Sequence, residues 1–211
     1  VRHVLKISTL GLSWLALPAL LLVLAAPPAR AELDAKALLA DRVLGAESAP
    51  VTIYDYSSLT CPHCATFNNE TLPLLKEKYI DTGKVKLVFR DFPLDRAALQ
   101  AALIARCAKP ARYYGFIDVL FKSQGQWGRA SDPAKALSQI AKLGGMGQEE
   151  IDACLADKAL MDGMLEAAVA AQKAAKIQST PTFVFNDGAE RIEGALPLDK
   201  FEAVIERLLG H

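Results

Sequence analysis

Two cysteines, Cys61 and Cys64, flank Pro62 and His63, one helical turn apart if this stretch is helical. Sulfur at this spacing can cycle between dithiol and disulfide, or it can supply half of a tetrahedral zinc site. The zinc reading needs a second closely spaced pair. The remaining cysteines, Cys107 and Cys154, are far from each other and from the first two. Redox cycling without a metal is therefore the chemistry the pattern points to. The flanks agree with it. The run Val51-Thr52-Ile53-Tyr54 reads as a strand before the pair, and Phe67, Leu72, Leu75 and Tyr79 belong to a helix after it.

A thiolate in the first turn of a helix faces unpaired backbone N–H groups and the positive end of the helix dipole. That makes Cys61 the nucleophile and Cys64, one turn in, the buried resolving thiol. The helix end contributes up to ~2 kcal/mol, whereas lowering a thiol from ~8.5 to ~3.5 takes roughly 7 kcal/mol. His63 can add to the difference by donating a hydrogen bond or carrying positive charge. Pro62 removes a competing N–H and sets the turn. A stabilised thiolate favours the dithiol, so the disulfide form is an oxidant.

The elements that must hold this motif can be read along the chain. Asp41 to Gly45 offers a small edge strand before the strand Val51–Tyr56. Val85 to Phe92 alternates as a second strand, giving β–α–β with a parallel pair and a right-handed crossover. Pro93 opens a long helical region. Leu99, Leu103 and Cys107 share one face, and Phe116, Ile117, Leu120 and Phe121 share another. Gly125 to Gly128 reads as a loop around Trp127, and Ser131-Asp132-Pro133 as a helix start ended by Gly144-Gly145. An Ala-rich helix follows over about 159–176. Thr182–Phe185 and Glu190–Glu193 form a hairpin about Asn186-Asp187-Gly188, and a closing helix carries Phe201, Val204, Ile205, Leu208 and Leu209. The order implies an α/β thioredoxin fold with an inserted all-helical domain. The thioredoxin domain is expected over 41–94 and 178–211, and the helical insertion over 95–177. Trp127 and Phe121 fit core packing better than a peptide groove.

The 211 residues carry four cysteines and are 52% hydrophobic, enough for a sizeable core, and the formal net charge is +0. Nothing in that balance points to nucleic acid or an anionic membrane. Arg2, His3 and Lys6 precede an apolar run from Leu10 to Ala26, followed by Ala29-Arg30-Ala31. This reads as a signal peptide over 1–31 cleaved after Ala31, with an uncleaved anchor as the alternative. Export places the chain in an oxidising compartment, the periplasm, where disulfides persist.

Cys-Pro-His-Cys after an apolar strand, the run Arg90-Asp91-Phe92-Pro93-Leu94-Asp95, and Ser179-Thr180-Pro181-Thr182-Phe183 before the hairpin resemble the DsbA family of bacterial thiol oxidoreductases. More closely, the chain is similar to the shorter α-proteobacterial DsbA-like proteins with a second cysteine pair. The similarity covers roughly Asp41 to Leu209. It implies that Pro181 is the cis-proline facing the disulfide and that the Thr180 backbone pairs with an extended substrate. It also implies that Asp55 is a buried proton acceptor for Cys64; an ordinary strand-end carboxylate is the alternative. The family's best-known oxidase has Val where this chain has Thr180, and Thr also occurs in disulfide isomerases. An exported chain with two of its four cysteines already paired favours a structural bridge between Cys107 and Cys154 over two core thiols.

The expected activity is a thiol:disulfide oxidase that gives its disulfide to reduced, unfolded exported polypeptides, as a monomer and without a cofactor. A DsbB-like membrane quinone reductase would re-oxidise it. Disulfide isomerase or reductase activity remains open, as does a non-catalytic peptide-binding holdase.

Overall fold

The computed structural model describes residues 1–3 and 33–210. The expected signal peptide's apolar run and its cleavage site after Ala31 lie outside the described residues. Among the described residues no helix is long and apolar enough to cross a membrane. From Leu33 onward the chain is one compact unit.

That unit begins with a short helix, α1 (Ala35–Leu39), whose first turn is capped by the Asp34 carboxylate accepting from Ala37 N–H at 3.0 Å. The edge strand β1 (Val43–Leu44) follows. Strand β2 (Val51–Ser57) alternates buried and half-buried residues along its length, as a strand packed hard on one face should. Helix α2 (Pro62–Thr66) continues without a break in helical backbone through α3 (Leu72–Leu75) to Ile80. Two wide, π-type turns interrupt the ladder, at Phe67–Thr71 and Lys76–Ile80. The first has a local cause. Pro73 has no N–H to give, and immediately before it the Leu72 N–H reaches back to Phe67 O.

Strand β3 (Val85–Asp91) then lies parallel to β2, with Asp55 opposite Phe89 and Ser57 opposite Asp91. After it come six helices: α4 (Arg96–Cys107), α5 (Tyr113–Lys122), α6 (Gln124–Trp127), α7 (Pro133–Leu143), α8 (Gln148–Ala156) and α9 (Lys158–Ala174). Asp95, Asp132 and Asp157 cap α4, α7 and α9 with their carboxylates. The chain returns through β4 (Thr182–Phe185) and β5 (Glu190–Glu193) and ends in α10 (Leu198–Leu209). The hairpin between β4 and β5 turns through Asn186, Asp187 and Gly188, all at positive φ, a conformation that Asn, Asp and Gly tolerate best. The sheet order is β1-β3-β2-β4-β5, with every neighbour antiparallel except β2 and β3. This is a thioredoxin fold with helices inserted between β3 and β4.

One expected loop is a helix. Gly125 to Gly128 falls largely in α6, because Trp127 is fully buried and its indole N–H donates to Leu120 O at 2.8 Å. Burying so large a side chain outweighs the freedom of the glycines around it. Phe121 is likewise buried.

The core divides in two. One cluster joins the sheet to α3 and α10, with the rings of Phe67, Phe183 and Phe201 in mutual contact at centroid distances of 4.3–5.3 Å. The other joins α4, α5, α7 and α8, and it includes Leu59, Cys61, Cys64 and Phe89. The inserted helices therefore pack directly behind the cysteine pair. A disulfide between Cys107 and Cys154 ties the end of α4 to α8 across 47 positions. A loop of that length corresponds to about 4 kcal/mol of chain entropy removed from the unfolded state. Replacing both cysteines by Ala should lower the unfolding free energy in urea by up to that amount. An unchanged unfolding midpoint would show that the bridge adds no constraint.

Candidate active site

The site forms where β2 runs out and α2 begins. Cys61 is the N-cap of α2, with extended backbone, and its own N–H donates to Ser58 O at 3.0 Å. Pro62 occupies the first helical position, where the missing N–H costs nothing. The backbone N–H groups of His63 and Cys64 are turned toward the Cys61 sulfur. His63 thus reaches Cys61 through its main chain, while its imidazole side is exposed. Both thiols are reduced, and both residues are buried.

The two sulfurs have opposite electrostatics. Cys61 is lowered to about 5, chiefly because the Cys64 S–H donates to it. Burial opposes the shift, and Thr180 and the two backbone N–H groups add to it. Cys64 is pushed far up, first by burial, then by donating its proton toward Cys61, then by the nearby Asp55 carboxylate. One proton is thus shared unequally, held on Cys64 and absent from Cys61. Such a pair is a nucleophile with a masked second thiol.

Thr180 and Pro181 arrive from 119 positions away. The Thr180–Pro181 bond is cis. The Thr180 carbonyl lies 3.3 Å from Cys61 Sγ as an acceptor for the thiol, and its hydroxyl donates to the thiolate. The sequence reading assigned Thr180 a backbone role and missed this hydroxyl. Asp55 lies midway along β2 on the face turned toward the thiols and is fully buried. Its carboxyl is raised to about 7. Burial is the main cause, the Ser57 hydroxyl pulls the other way, and the Cys61 charge adds to the rise.

The sequence reading gave no role in the site to three further residues. Ser57 is buried and donates to Asp55 Oδ1. Its signal was present, because Ser57 keeps step with Val51, Ile53 and Asp55 on the buried face. Gln124, on α6, donates from Nε2 to Leu59 O at 2.9 Å and Cys61 O at 3.0 Å. Asp95 accepts from Thr60 Oγ1 at 2.6 Å with one carboxylate oxygen while its other oxygen caps α4. The inserted helices therefore fasten the loop that carries Cys61. Among the described residues no group of three or more His, Cys, Asp or Glu side chains converges to hold a metal.

Known proteins resemble this chain in sequence and fold. The family model described as Thioredoxin matches residues 38–207. A Rickettsia bellii protein provisionally named a protein-disulfide oxidoreductase is 35% identical over 147 residues, 69% of this chain and 57% of that protein. The chain thus spans little more than half the length of this relative. Disulfide bond formation protein D of Bacillus subtilis is 28% identical over 79% of this chain and 76% of its own length. Among solved structures, Wolbachia pipientis alpha-DsbA1 superposes with a TM-score of 0.74 at 34% identity, covering 84% of this chain and 96% of that one. Bacillus subtilis BdbD gives 0.72 at 27% identity, over 81% and 94%. The matched span takes in every strand of the sheet and both free thiols, and by that measure the chain belongs to the thioredoxin family, among its DsbA-like members.

Proposed function

We propose that this chain is a protein thiol:disulfide oxidoreductase that donates a Cys61–Cys64 disulfide to reduced exported polypeptides in the periplasm. The observation that carries the reading is a pair of free, buried thiols at the start of α2, with Cys61 Sγ 3.3 Å from the Thr180 carbonyl; the surroundings lower Cys61 and raise Cys64. The names of the Rickettsia and Bacillus relatives support it. In the forward direction a substrate thiolate attacks Cys61 Sγ and breaks the Cys61–Cys64 bond. Cys64 leaves with the electron pair and is protonated. A second substrate thiolate then attacks the substrate sulfur of the mixed disulfide, and Cys61 leaves as its stable thiolate. Two electrons pass from the substrate dithiol to the cysteine pair.

In this reading Thr180 and Pro181 form the edge on which an extended substrate lies, offering main-chain groups that are blind to sequence. The thioredoxin domain comprises 41–94 and 178–211, and the helical insertion comprises 95–177. The protein works as a monomer exported by its N-terminal signal, with a DsbB-like membrane quinone reductase restoring the disulfide. Cys107–Cys154 is the structural bridge, and no cofactor takes part.

A titration and an equilibrium test this. The ultraviolet absorbance of the Cys61 thiolate should titrate with a midpoint of about 5 in the reduced protein. The folded value lies below the ordinary 9.0, so the reduced fold is stabilised fully above pH 9 and loses that contribution as pH falls toward 5. Equilibration with glutathione should give a reduction potential well above the ~−270 mV of a thioredoxin-like reductant. A midpoint near the free-thiol value of ~8.5, or a potential near that of thioredoxin, would overturn the oxidase reading.

A further inference from the structure

The thiolate at Cys61 explains one half of the exchange and leaves the other half without a mechanism. Cys64 must lose its proton to close the disulfide and regain one when the disulfide opens. It does both at 1% exposure, where no free ion is tolerated unassisted. Asp55 and Ser57 are buried beside it, at 3% and 2% exposure. They are two positions apart on β2, so both side chains leave the same face of the sheet. The Ser57 hydroxyl donates to Asp55 Oδ1. Ser57 also lowers the Cys64 thiol as a side-chain hydrogen-bond partner, against burial and the Asp55 charge. Asp55, by contrast, acts on Cys64 through its charge.

We propose that the Ser57 hydroxyl relays the proton between Cys64 and Asp55, so that the buried thiol ionises and recovers its proton within the strand. The proposal rests on the oxidoreductase reading above and adds to it a residue that handles the proton. A hydroxyl suits the task because it has one donor and two acceptor positions, and can give one proton while receiving another. The other titratable groups facing Asp55 are less suited. Cys61 is itself the attacked or attacking sulfur. The Tyr114 phenol is already engaged with Leu87 O at 2.9 Å, Arg42 O at 2.6 Å and Phe89 N–H at 3.2 Å.

The step balances in both directions. During re-oxidation Cys61 is first joined to a donor sulfur in a mixed disulfide. The Cys64 proton moves to Ser57 Oγ as the Ser57 proton moves to the Asp55 carboxylate. The Cys64 sulfur then attacks Cys61 Sγ, and the donor sulfur leaves with the electron pair. During substrate oxidation Cys64 is the leaving group. It takes the Ser57 proton, which the protonated Asp55 carboxyl replaces.

The test uses the full reduced protein and oxidised glutathione, with mass spectrometry after acid quench to follow the mixed disulfide at Cys61. Ser57→Ala should form that mixed disulfide at the wild-type rate, because Cys61 is untouched. Its resolution by Cys64 should slow by about 100-fold, the scale of a lost proton-transfer partner. Asp55→Asn should slow resolution similarly, and the double variant should be no slower than either single variant, as expected of one path. Wild-type resolution in mixtures of light and heavy water should depend on deuterium content in a bowed curve, since two protons move; this measurement needs no variant to fold. Resolution at the wild-type rate in Ser57→Ala, multiplying effects in the double variant, or a linear deuterium dependence would each overturn the relay. Failure of the wild-type protein to form the mixed disulfide at all would instead overturn the oxidoreductase reading.

Discussion

With Cys61 replaced by Ser, the protein should lose all ability to oxidise a dithiol peptide, while Cys64→Ser should stop the exchange with a disulfide-bonded peptide halfway. The reason is positional. Cys61 receives the Thr180 hydroxyl, two backbone N–H groups and the S–H of Cys64, so it is the sulfur poised for exchange. A serine hydroxyl cannot form or break a disulfide, so the loss in Cys61→Ser is complete. In Cys64→Ser the nucleophile survives, and a mixed disulfide formed at Cys61 has no internal thiol to resolve it. Given the peptide in its disulfide form, that variant should accumulate a one-to-one adduct, Cys61 bonding one peptide sulfur as the other leaves with the electron pair, visible as the summed mass on a non-reducing gel. The Cys61 thiolate should also titrate higher in Cys64→Ser, because the first of its stabilising contacts is the S–H of Cys64. Peptide oxidation that persists in Cys61→Ser would move the activity elsewhere in the chain. The absence of an adduct in Cys64→Ser would show that Cys61 is not the attacking group.

Arg106→Ala should cost about 3–5 kcal/mol of stability, the range for breaking a buried ion pair from one side. Arg106 sits in the last turn of α4 at 4% exposure. It donates from Nε to Asp91 Oδ2 at 2.6 Å, from Nη1 to Ala40 O at 2.9 Å and from Nη2 to Phe89 O at 3.4 Å. Its guanidinium also lies 5.0 Å from the Tyr113 ring centroid. One side chain thus joins the chain after α1, the end of β3 and two helices of the insertion. Truncation leaves a buried carboxylate without its partner and two main-chain carbonyls without a donor. Arg106→Lys should recover only part of the loss, since an ammonium lacks the planar fork that reaches several acceptors together. The control is Arg90→Ala. Arg90 pairs with Asp41 at 2.8 Å, but both side chains are more than a third exposed, so that change should stay within about 1 kcal/mol. Urea unfolding of the disulfide form measures all three. Equal effects at Arg106 and Arg90 would remove the buried network from the account of stability.

What the sequence by itself determined is what neighbours in the chain can enforce. A strand needs only its alternation, and β2 and β3 show it in Val51–Ser57 and Val85–Asp91. A helix start needs a cap and a first turn, so Asp132-Pro133 and the Cys61-Pro62 boundary were both readable. A tight hairpin needs residues that accept positive φ, and Asn186-Asp187-Gly188 supplies three. The spacing of Cys61 and Cys64 is likewise local, and so is the helix end that favours a thiolate there. Even Ser57 carried a signal, as a polar residue in step with a buried face, although its hydrogen bond to Asp55 did not.

The tertiary structure alone decided what depends on chain reversal. The hydroxyl of Thr180 reaches Cys61 only because β4 pairs with β2, with Tyr56 opposite Thr182. Gln124 holds the Cys61 carbonyl only because α6 is a helix rather than a loop, and that follows from the burial of Trp127. Arg106 finds Asp91 because α4 packs across the end of β3. Gln124 and Arg106 differ in neither type nor spacing from an ordinary surface Gln or Arg. Periodicity and capping act over a few residues at a few tenths to about 1 kcal/mol each. The partners of a buried polar group are chosen by packing across the whole domain, where leaving one unpaired costs more than any local preference returns.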